Sequence, residues 1–323
     1  MFKQNLPEKK LSGEYLNTRI KLHEAKSKGI KLIACDYDGT IFDRNDPNYD
    51  DPWKTIELAY EVSKKDIEFA FVSGRNTTLE LPLRDLIPQF CKKVNSNLTI
   101  WRSGGNGMNL SRITYTPDPK KIKVEEIYSN SISLNELKIA IKVYEKFNIK
   151  PDKKGKAFFQ SFLDRDLPTD LVPPKFLQIS KPHEGKFFAE SVKVTFVLPT
   201  DEKEQEKYIK LFRKKLEPIG LSVGWGRIPF ADVSKQLKVN GKLVDGKLLM
   251  VDSIMKKLKL KDSRIVTFGD APNDNNAGLL SFPYSFTNDF QVKKRDLNSP
   301  PFILKVDNSP IAAVYKAIKS ILE

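Results

Sequence analysis

The chain has 323 residues, with 55 Lys+Arg against 41 Asp+Glu for a net charge of +14 at pH 7, and its 40% hydrophobic and 30% charged residues describe a soluble globular protein rather than a disordered one. Two cysteines, Cys35 and Cys91, exclude a disulfide scaffold and a cysteine-rich zinc site, and two histidines, His23 and His183, leave carboxylates, hydroxyls and lysines to carry any chemistry. No stretch reaches the ~18 apolar residues of a membrane helix, the start MFKQNLPEKK has no apolar signal region, and the lysines are scattered rather than blocked, so membrane insertion, secretion and a nucleic-acid partner are not expected.

Residues 1–30 read as a polar lead with a helix over about 12–28. The apolar run Lys31–Cys35 ends in Asp36-Tyr37-Asp38-Gly39-Thr40, and a short apolar run closed by a turn is expected to be a buried strand. A helix follows over 53–65, with Trp53, Ile56, Leu58, Ala59 and Val62 as its apolar positions. Ile67–Val72 is the next strand and stops at Ser73-Gly74-Arg75. A helix over 77–87 leads to a third strand, Leu98–Trp101, which ends in the glycine-rich stretch Ser103–Gly107. Strand and helix in alternation predict an α/β core, a doubly wound Rossmann-like parallel sheet with right-handed crossovers.

The middle of the chain has another character. Residues 116–123 read as a linker, and a helix over 134–147 precedes a loop-rich stretch holding Pro151, Pro168, Pro173, Pro174 and Pro182. Ser191–Leu198 alternates as a strand, 201–217 is a charged amphipathic helix, and Leu221–Trp225 and Ser234–Val239 read as two more strands. The first pattern resumes near 241. A helix over 246–258 puts Leu248, Val251, Ile254, Met255 and Leu258 on one face. Strands are expected at Arg264–Phe268, Phe282–Phe286 and Phe302–Val306, and Ser309-Pro310 supplies an N-cap and a first-position proline for a last helix over 310–322. The expected domains are a lead helix, 1–30; a core made of 31–118 and 241–323; and an inserted α+β cap domain, 119–240.

In an open α/β sheet, ligands bind beyond the carboxyl ends of the strands, so Asp36, Ser73 and Asp270 are expected to converge although far apart in the chain. Asp36 and Asp38 are paired carboxylates suited to metal coordination and acid/base work, and a polar turn after a strand uses the same residue types. Glycine directly after the second aspartate excludes an EF-hand loop, whose glycine comes later. Gly269-Asp270-Ala271-Pro272-Asn273-Asp274 brings two more carboxylates, fit for a hard cation such as Mg2+ or for a capped turn. Ser73-Gly74-Arg75 joins a hydroxyl, an approachable backbone and a cation, which suits a phosphoryl group, and an ordinary strand-to-helix turn would also look so. Lys247, taken alone, reads as a solvated lysine.

Together these segments resemble the haloacid dehalogenase superfamily of phosphohydrolases, in the subclass with a large mixed α/β cap of the Cof-like and sucrose-phosphatase-like kind. Asp36-Tyr37-Asp38-Gly39-Thr40 is similar to its first motif, DxDGT; Ser73, in the SGR form, to the second; Lys247, 23 positions before Asp270, to the third; and Gly269–Asp274 to the fourth, GDxxND. Asn106-Gly107 resembles the NG pair of the same group. The resemblance covers about 31–115 and 241–323, with the insert where the subclass carries its cap.

The resemblance implies an Mg2+-dependent phosphatase acting on a small phosphorylated metabolite, a sugar phosphate by default, in the cytoplasm. Asp36 is then the nucleophile, Asp38 the acid/base, and Lys247 the cation that steadies Asp36. Asp36, Asp38, Asp270 and Asp274 are the expected metal ligands. Ser73, Gly74, Arg75, Asn106 and Asn273 are expected around the phosphoryl group. Tyr37 is expected to point away from the two aspartates, because neighbouring strand side chains alternate. In the cap, Arg165, His183, Lys186, Lys193, Trp225, Arg227 and Lys238 are polar candidates. Trp225 and Arg227 lead them, as an indole that can stack on a sugar and a guanidinium that can pair with a second anion. A phosphomutase on the same scaffold, a nucleic-acid 3′-phosphatase and a non-catalytic binding module are the alternatives.

Overall fold

The computed structural model describes residues 8–43, 46–74, 81–105, 107–130, 132–147, 160–161, 193–199, 201–225, 230–269, 279–288, 302–306 and 309–323. In chain order they form α1 (Glu8–Ser27), β1 (Leu32–Asp36), α2 (Pro52–Ser63), β2 (Glu68–Val72), α3 (Leu81–Val94), β3 (Leu98–Gly104), β4 (Asn109–Tyr115) and β5 (Lys123–Ser129). Next come α4 (Leu134–Lys146), β6 (Gln160–Ser161), β7 (Lys193–Val197), α5 (Glu202–Leu216), β8 (Leu221–Trp225), β9 (Phe230–Lys235), β10 (Lys238–Val239) and β11 (Lys242–Leu243). The chain closes with α6 (Gly246–Leu258), β12 (Ile265–Phe268), β13 (Ser285–Asn288), β14 (Phe302–Leu304) and α7 (Pro310–Leu322). Two compact units result, one from Met1–Gly74, Glu80–Glu125 and Asp245–Glu323, the other chiefly from Glu126–Val244.

The first unit is a mixed, mostly parallel eight-stranded sheet in the order β14-β13-β12-β1-β2-β3-β4-β5, a doubly wound Rossmann-like α/β arrangement. β1 is buried at all five positions, as a strand covered on both faces must be, and it pairs in parallel with β2 and β12. From β1 the chain builds outward through β2 and β3, then returns to build the other way through β12, β13 and β14. The order therefore reverses between β1 and β12, where such folds hold their ligands. One face of the sheet, with Ile33, Cys35, Tyr37, Phe69 and Phe71, joins buried residues of α2, α3 and α7 in a single apolar cluster. α1 packs against β14 and α7.

Several elements differ from the sequence reading. The glycine-rich stretch after the third strand is the turn of a hairpin, since β3 runs on to Gly104 and β4 returns antiparallel from Gly104↔Asn109 to Leu98↔Tyr115. The expected linker holds a short 3-10 turn, Pro119–Lys121, and the start of β5. β5 is an edge strand with exposed Lys123, Glu125 and Glu126, and such a strand shows no apolar alternation to detect. α3 runs past Pro88 to Val94, because burial of Ile87, Phe90 and Cys91 outweighs the backbone hydrogen bond that the proline forgoes. The expected strand at Ser234–Val239 is instead the end of β9 and all of β10, parted at Gln236, whose side-chain amide donates to the carbonyls of Glu217 and Leu221. β13 lies later than expected because Ser285 Oγ turns back to the carbonyl of Phe282 ahead of it.

The second unit has a four-stranded antiparallel sheet in the order β6-β7-β9-β8. Val194, Phe196, Val223, Ala231 and Val233 form a core with Leu137, Ala140, Ile141 and Tyr144 of α4 and Ile209, Phe212 and Leu216 of α5. Phe196, Tyr144 and Phe212 form a triad of stacked rings, with centroids 4.8 Å (Tyr144–Phe196), 5.6 Å (Phe196–Phe212) and 6.2 Å (Tyr144–Phe212) apart. Ser133 and Glu136 close a capping box on α4, and Asp201 caps α5. β10 and β11 make a hairpin whose Asn240 and Gly241 both have positive φ, the pattern of the turn that suits strand twist. Among the described residues no helix is long and apolar enough to cross a membrane.

Candidate active site

β1 delivers Asp36 to the point where the sheet order reverses. The Asp36 side chain is 7% exposed, and its two oxygens face different donors. Oδ1 accepts from the N–H of Tyr37 at 2.8 Å, and Oδ2 lies 3.1 Å from Lys247 Nζ. Lys247 is itself 2% exposed, so this is a fully buried ion pair, the arrangement in which desolvation is tolerable only when each charge keeps its partner. Burial pushes the neighbouring Cys35 thiol well above its ordinary range, and the charge of Asp36 pushes in the same direction.

The turn after β1 is tightly bonded. The carbonyl of Tyr37 accepts from the N–H groups of Ile41 and Phe42, the N–H of Gly39 donates to the carbonyl of Phe42, and Gly39 adopts a left-handed φ of 76°. Tyr37 stacks on Phe42 and meets Phe71 edge-on within the apolar cluster, so it does point away from the carboxylates as expected. Asp38 stays partly exposed while Thr40 is buried. Helices α7 and α2 brace the turn: Tyr315 Oη of α7 and Thr55 Oγ1 of α2 both donate to the carbonyl of Ile41, and Ser309, the N-cap of α7, bonds Asp46.

β2 is in register with β1 through Asp36↔Val72, so Ser73 follows on the adjacent strand end, 1% exposed. Its N–H donates to the carbonyl of Ser103 on β3 at 3.4 Å. α6 supplies Lys247. Asp245 caps this helix by accepting from the N–H of Leu248, which starts it one residue before the lysine. Sequence reading assigns Asp245 no part, although an aspartate just ahead of Gly246 and an apolar periodic run is an N-cap signal. Gly74 is described and half-buried. Arg75, Asn106, Arg227, Asp270, Asn273 and Asp274 lie outside the described residues, as do Arg165, His183 and Lys186. Trp225 contributes its backbone to the end of β8 and Lys193 its backbone to β7, and Lys238 is exposed on β10. The structure thus brings together Asp36, Ser73 and Lys247, with Asp38 two residues beyond Asp36.

Among the described residues no group of three or more His, Cys, Asp or Glu is placed to hold a metal ion. The donors that are described at the site, Asp36 and Asp38, offer oxygen alone, the donor type that a hard divalent cation takes.

A model of the haloacid dehalogenase-like hydrolases matches residues 33–277. Comparison with curated proteins gives no match. Among solved structures, a HAD/COF-like hydrolase from Plasmodium vivax is 19% identical with a TM-score of 0.61, over 93% of this chain and 98% of that one. A haloacid dehalogenase-like hydrolase from Bacteroides thetaiotaomicron is 14% identical with a TM-score of 0.58, over 90% and 99%. A second protein of that organism, described among the phosphatases of the superfamily, is 18% identical with a TM-score of 0.53, over 91% and 96%. With well over half of its length matched by the family model and the same fold in these structures, the chain belongs to the haloacid dehalogenase-like hydrolases.

Proposed function

We propose that the chain is an Mg2+-dependent phosphatase that hydrolyses a small phosphorylated metabolite, a sugar phosphate, through an aspartyl-phosphate. The observation that carries this reading is the buried Lys247–Asp36 pair at the sheet's reversal point, with Ser73 ending the next strand. The description of one Bacteroides relative as a phosphatase supports it.

In the first step an oxygen of Asp36 bonds to phosphorus while the bond from phosphorus to the substrate oxygen breaks. Asp38 gives its proton to that departing oxygen. In the second step Asp38 takes a proton from water, the water oxygen bonds to phosphorus, and Asp36 leaves as carboxylate. One ester and one water thus give one alcohol and one phosphate. Ser73 and Lys247 hold the phosphoryl oxygens, with Gly74, Arg75, Asn106 and Asn273 around them. Asp36, Asp38, Asp270 and Asp274 are the residues that would hold Mg2+, which when bound offsets the repulsion between carboxylate and phosphate. The insert, 119–240, serves as the cap that selects the leaving group, with Trp225 for a sugar face and Arg227 for a second anion. The site of action is the cytoplasm.

A panel of phosphorylated metabolites, assayed for phosphate release with Mg2+ and again with EDTA, tests this directly. Release is expected only with Mg2+ and is abolished in Asp36→Asn with an unchanged circular dichroism spectrum. Absence of release from every substrate, or full activity of Asp36→Asn, refutes it.

A further inference from the structure

Gly107 lies in the turn between β3 and β4 with a left-handed φ of +82. A Cβ built there would stand 2.0 Å from the carbonyl oxygen of Gly246, 2.2 Å from its carbonyl carbon and 2.7 Å from its Cα. All three atoms are main chain, so no side chain can swing aside. Three other left-handed glycines are unlike it: Gly29 would meet only the end of the Arg264 side chain at 3.7 Å, and Gly220 and Gly241 have open space.

Both partners in this contact are fixed. In the turn, the N–H of Gly104 donates to Asn109 Oδ1 at 2.7 Å and the N–H of Met108 to the carbonyl of Gly104 at 3.1 Å, and Met108 and Asn109 are buried. In α6, Asp245 caps the first turn, and Met250, Val251 and Ile254 are fully buried. Gly246 is the first residue of the helix, and Lys247 is the next. A packed interior transmits such a strain to the nearest element that can yield, here the first turn of α6.

We infer that Gly107 is a positioning residue: bare main chain at this point sets how closely the first turn of α6 approaches the β3–β4 turn, and so where Lys247 Nζ meets Asp36. Its kinetic consequence rests on the phosphatase reading, and its structural consequence does not.

Acylation of lysines followed by mass spectrometry reads the structural part in the full-length protein without substrate. Lys247 is protected in the unmodified chain. In Gly107→Ala it is expected to label about tenfold faster, because the local opening that exposes it becomes easier. In Gly29→Ala, which has the same backbone handedness without the contact, it stays protected. Cys91, buried in α3 and probed in parallel with a thiol-alkylating reagent, stays unlabelled in both and excludes global opening. Gly107→Asn separates handedness from contact, since asparagine tolerates left-handed backbone yet carries the same Cβ, and it is expected to behave as Gly107→Ala. In turnover, kcat falls about 100-fold, the order for a reacting group misplaced by about 1 Å. That loss vanishes in a Lys247→Ala background, as it must if Gly107 acts through Lys247. Unchanged protection of Lys247, a kcat loss that persists in the Lys247→Ala background, or failure of both Gly107 variants to fold overturns the inference. Altered protection in a chain that releases no phosphate would refute the phosphatase reading alone.

Discussion

Replacing Lys247 by methionine removes one charge of the buried pair and keeps most of the side-chain volume. The two groups are 3.1 Å apart. At an effective dielectric of about 20, their attraction is about 5 kcal/mol. Asp36 would retain the N–H of Tyr37 on Oδ1, while its Oδ2 would lose the ammonium in a place with almost no water. Breaking a buried pair from one side typically costs about 3–5 kcal/mol, a large share of the roughly 5–15 kcal/mol that holds a protein folded. Urea unfolding followed by circular dichroism measures it, in a buffer with chelator so that no cation takes the place of the ammonium. The double variant Asp36→Asn/Lys247→Met should be more stable than Lys247→Met, because no buried carboxylate charge remains without its ammonium. A loss below about 1 kcal/mol in Lys247→Met, or a double variant whose loss is the sum of the singles, would refute the reasoning.

Ser309 accepts from the N–H groups of Ile311 and Ala312 at the start of α7 and also bonds Asp46, so Ser309→Ala should lose about 1 kcal/mol or more, with Ser309→Thr recovering most of it. A thermal melt unchanged in the alanine variant would rule this out. Alkali should destabilise the chain in a defined window: burial pushes the Cys91 thiol from 9.0 to about 11 and the Tyr144 phenol from 10.0 to about 12, and raises Tyr128 and Tyr315 as well. The unfolded chain gives up these protons first, so stability is full below about 9 and is lost as pH rises through about 11 to 12. Melting temperatures that stay level across that range would contradict it.

The fold was largely legible because its core strands carry local signals. KLIAC and IEFAFV are short apolar runs stopped by turn residues, and they mark β1 and β2 to within a residue. The capped amphipathic α6 and α7 were equally plain. β4 and β5 were not, because β4 buries Asn109, Leu110, Ile113 and Tyr115 with polar residues set between them, while β5 at the sheet edge buries none of its residues, and neither makes an apolar run. The helix expected over 77–87 ends just ahead of Pro88, whereas tertiary burial carries α3 past that proline to Val94. At the site, Asp36 and Ser73 stand out because each ends a strand. The contact of Gly107 with Gly246 could not be read, since closeness between two bare glycines leaves no mark in either local sequence.

The pairing Leu32↔Ile265 has a consequence in time. A chain emerging from the ribosome can join β1 to β2 early, but the other side of β1 stays bare until β12 has been made, after the whole second unit. At roughly 5–20 residues per second, that interval is on the order of ten to forty seconds. Throughout it, an apolar strand edge ending in Asp36 is open to wrong partners. The second unit, whose helices and antiparallel strands pair over shorter separations, has the time to fold meanwhile. Crowded or fast expression should therefore lose this protein to aggregation at β1, before the last helix has arrived to close the back of the turn that Asp36 begins.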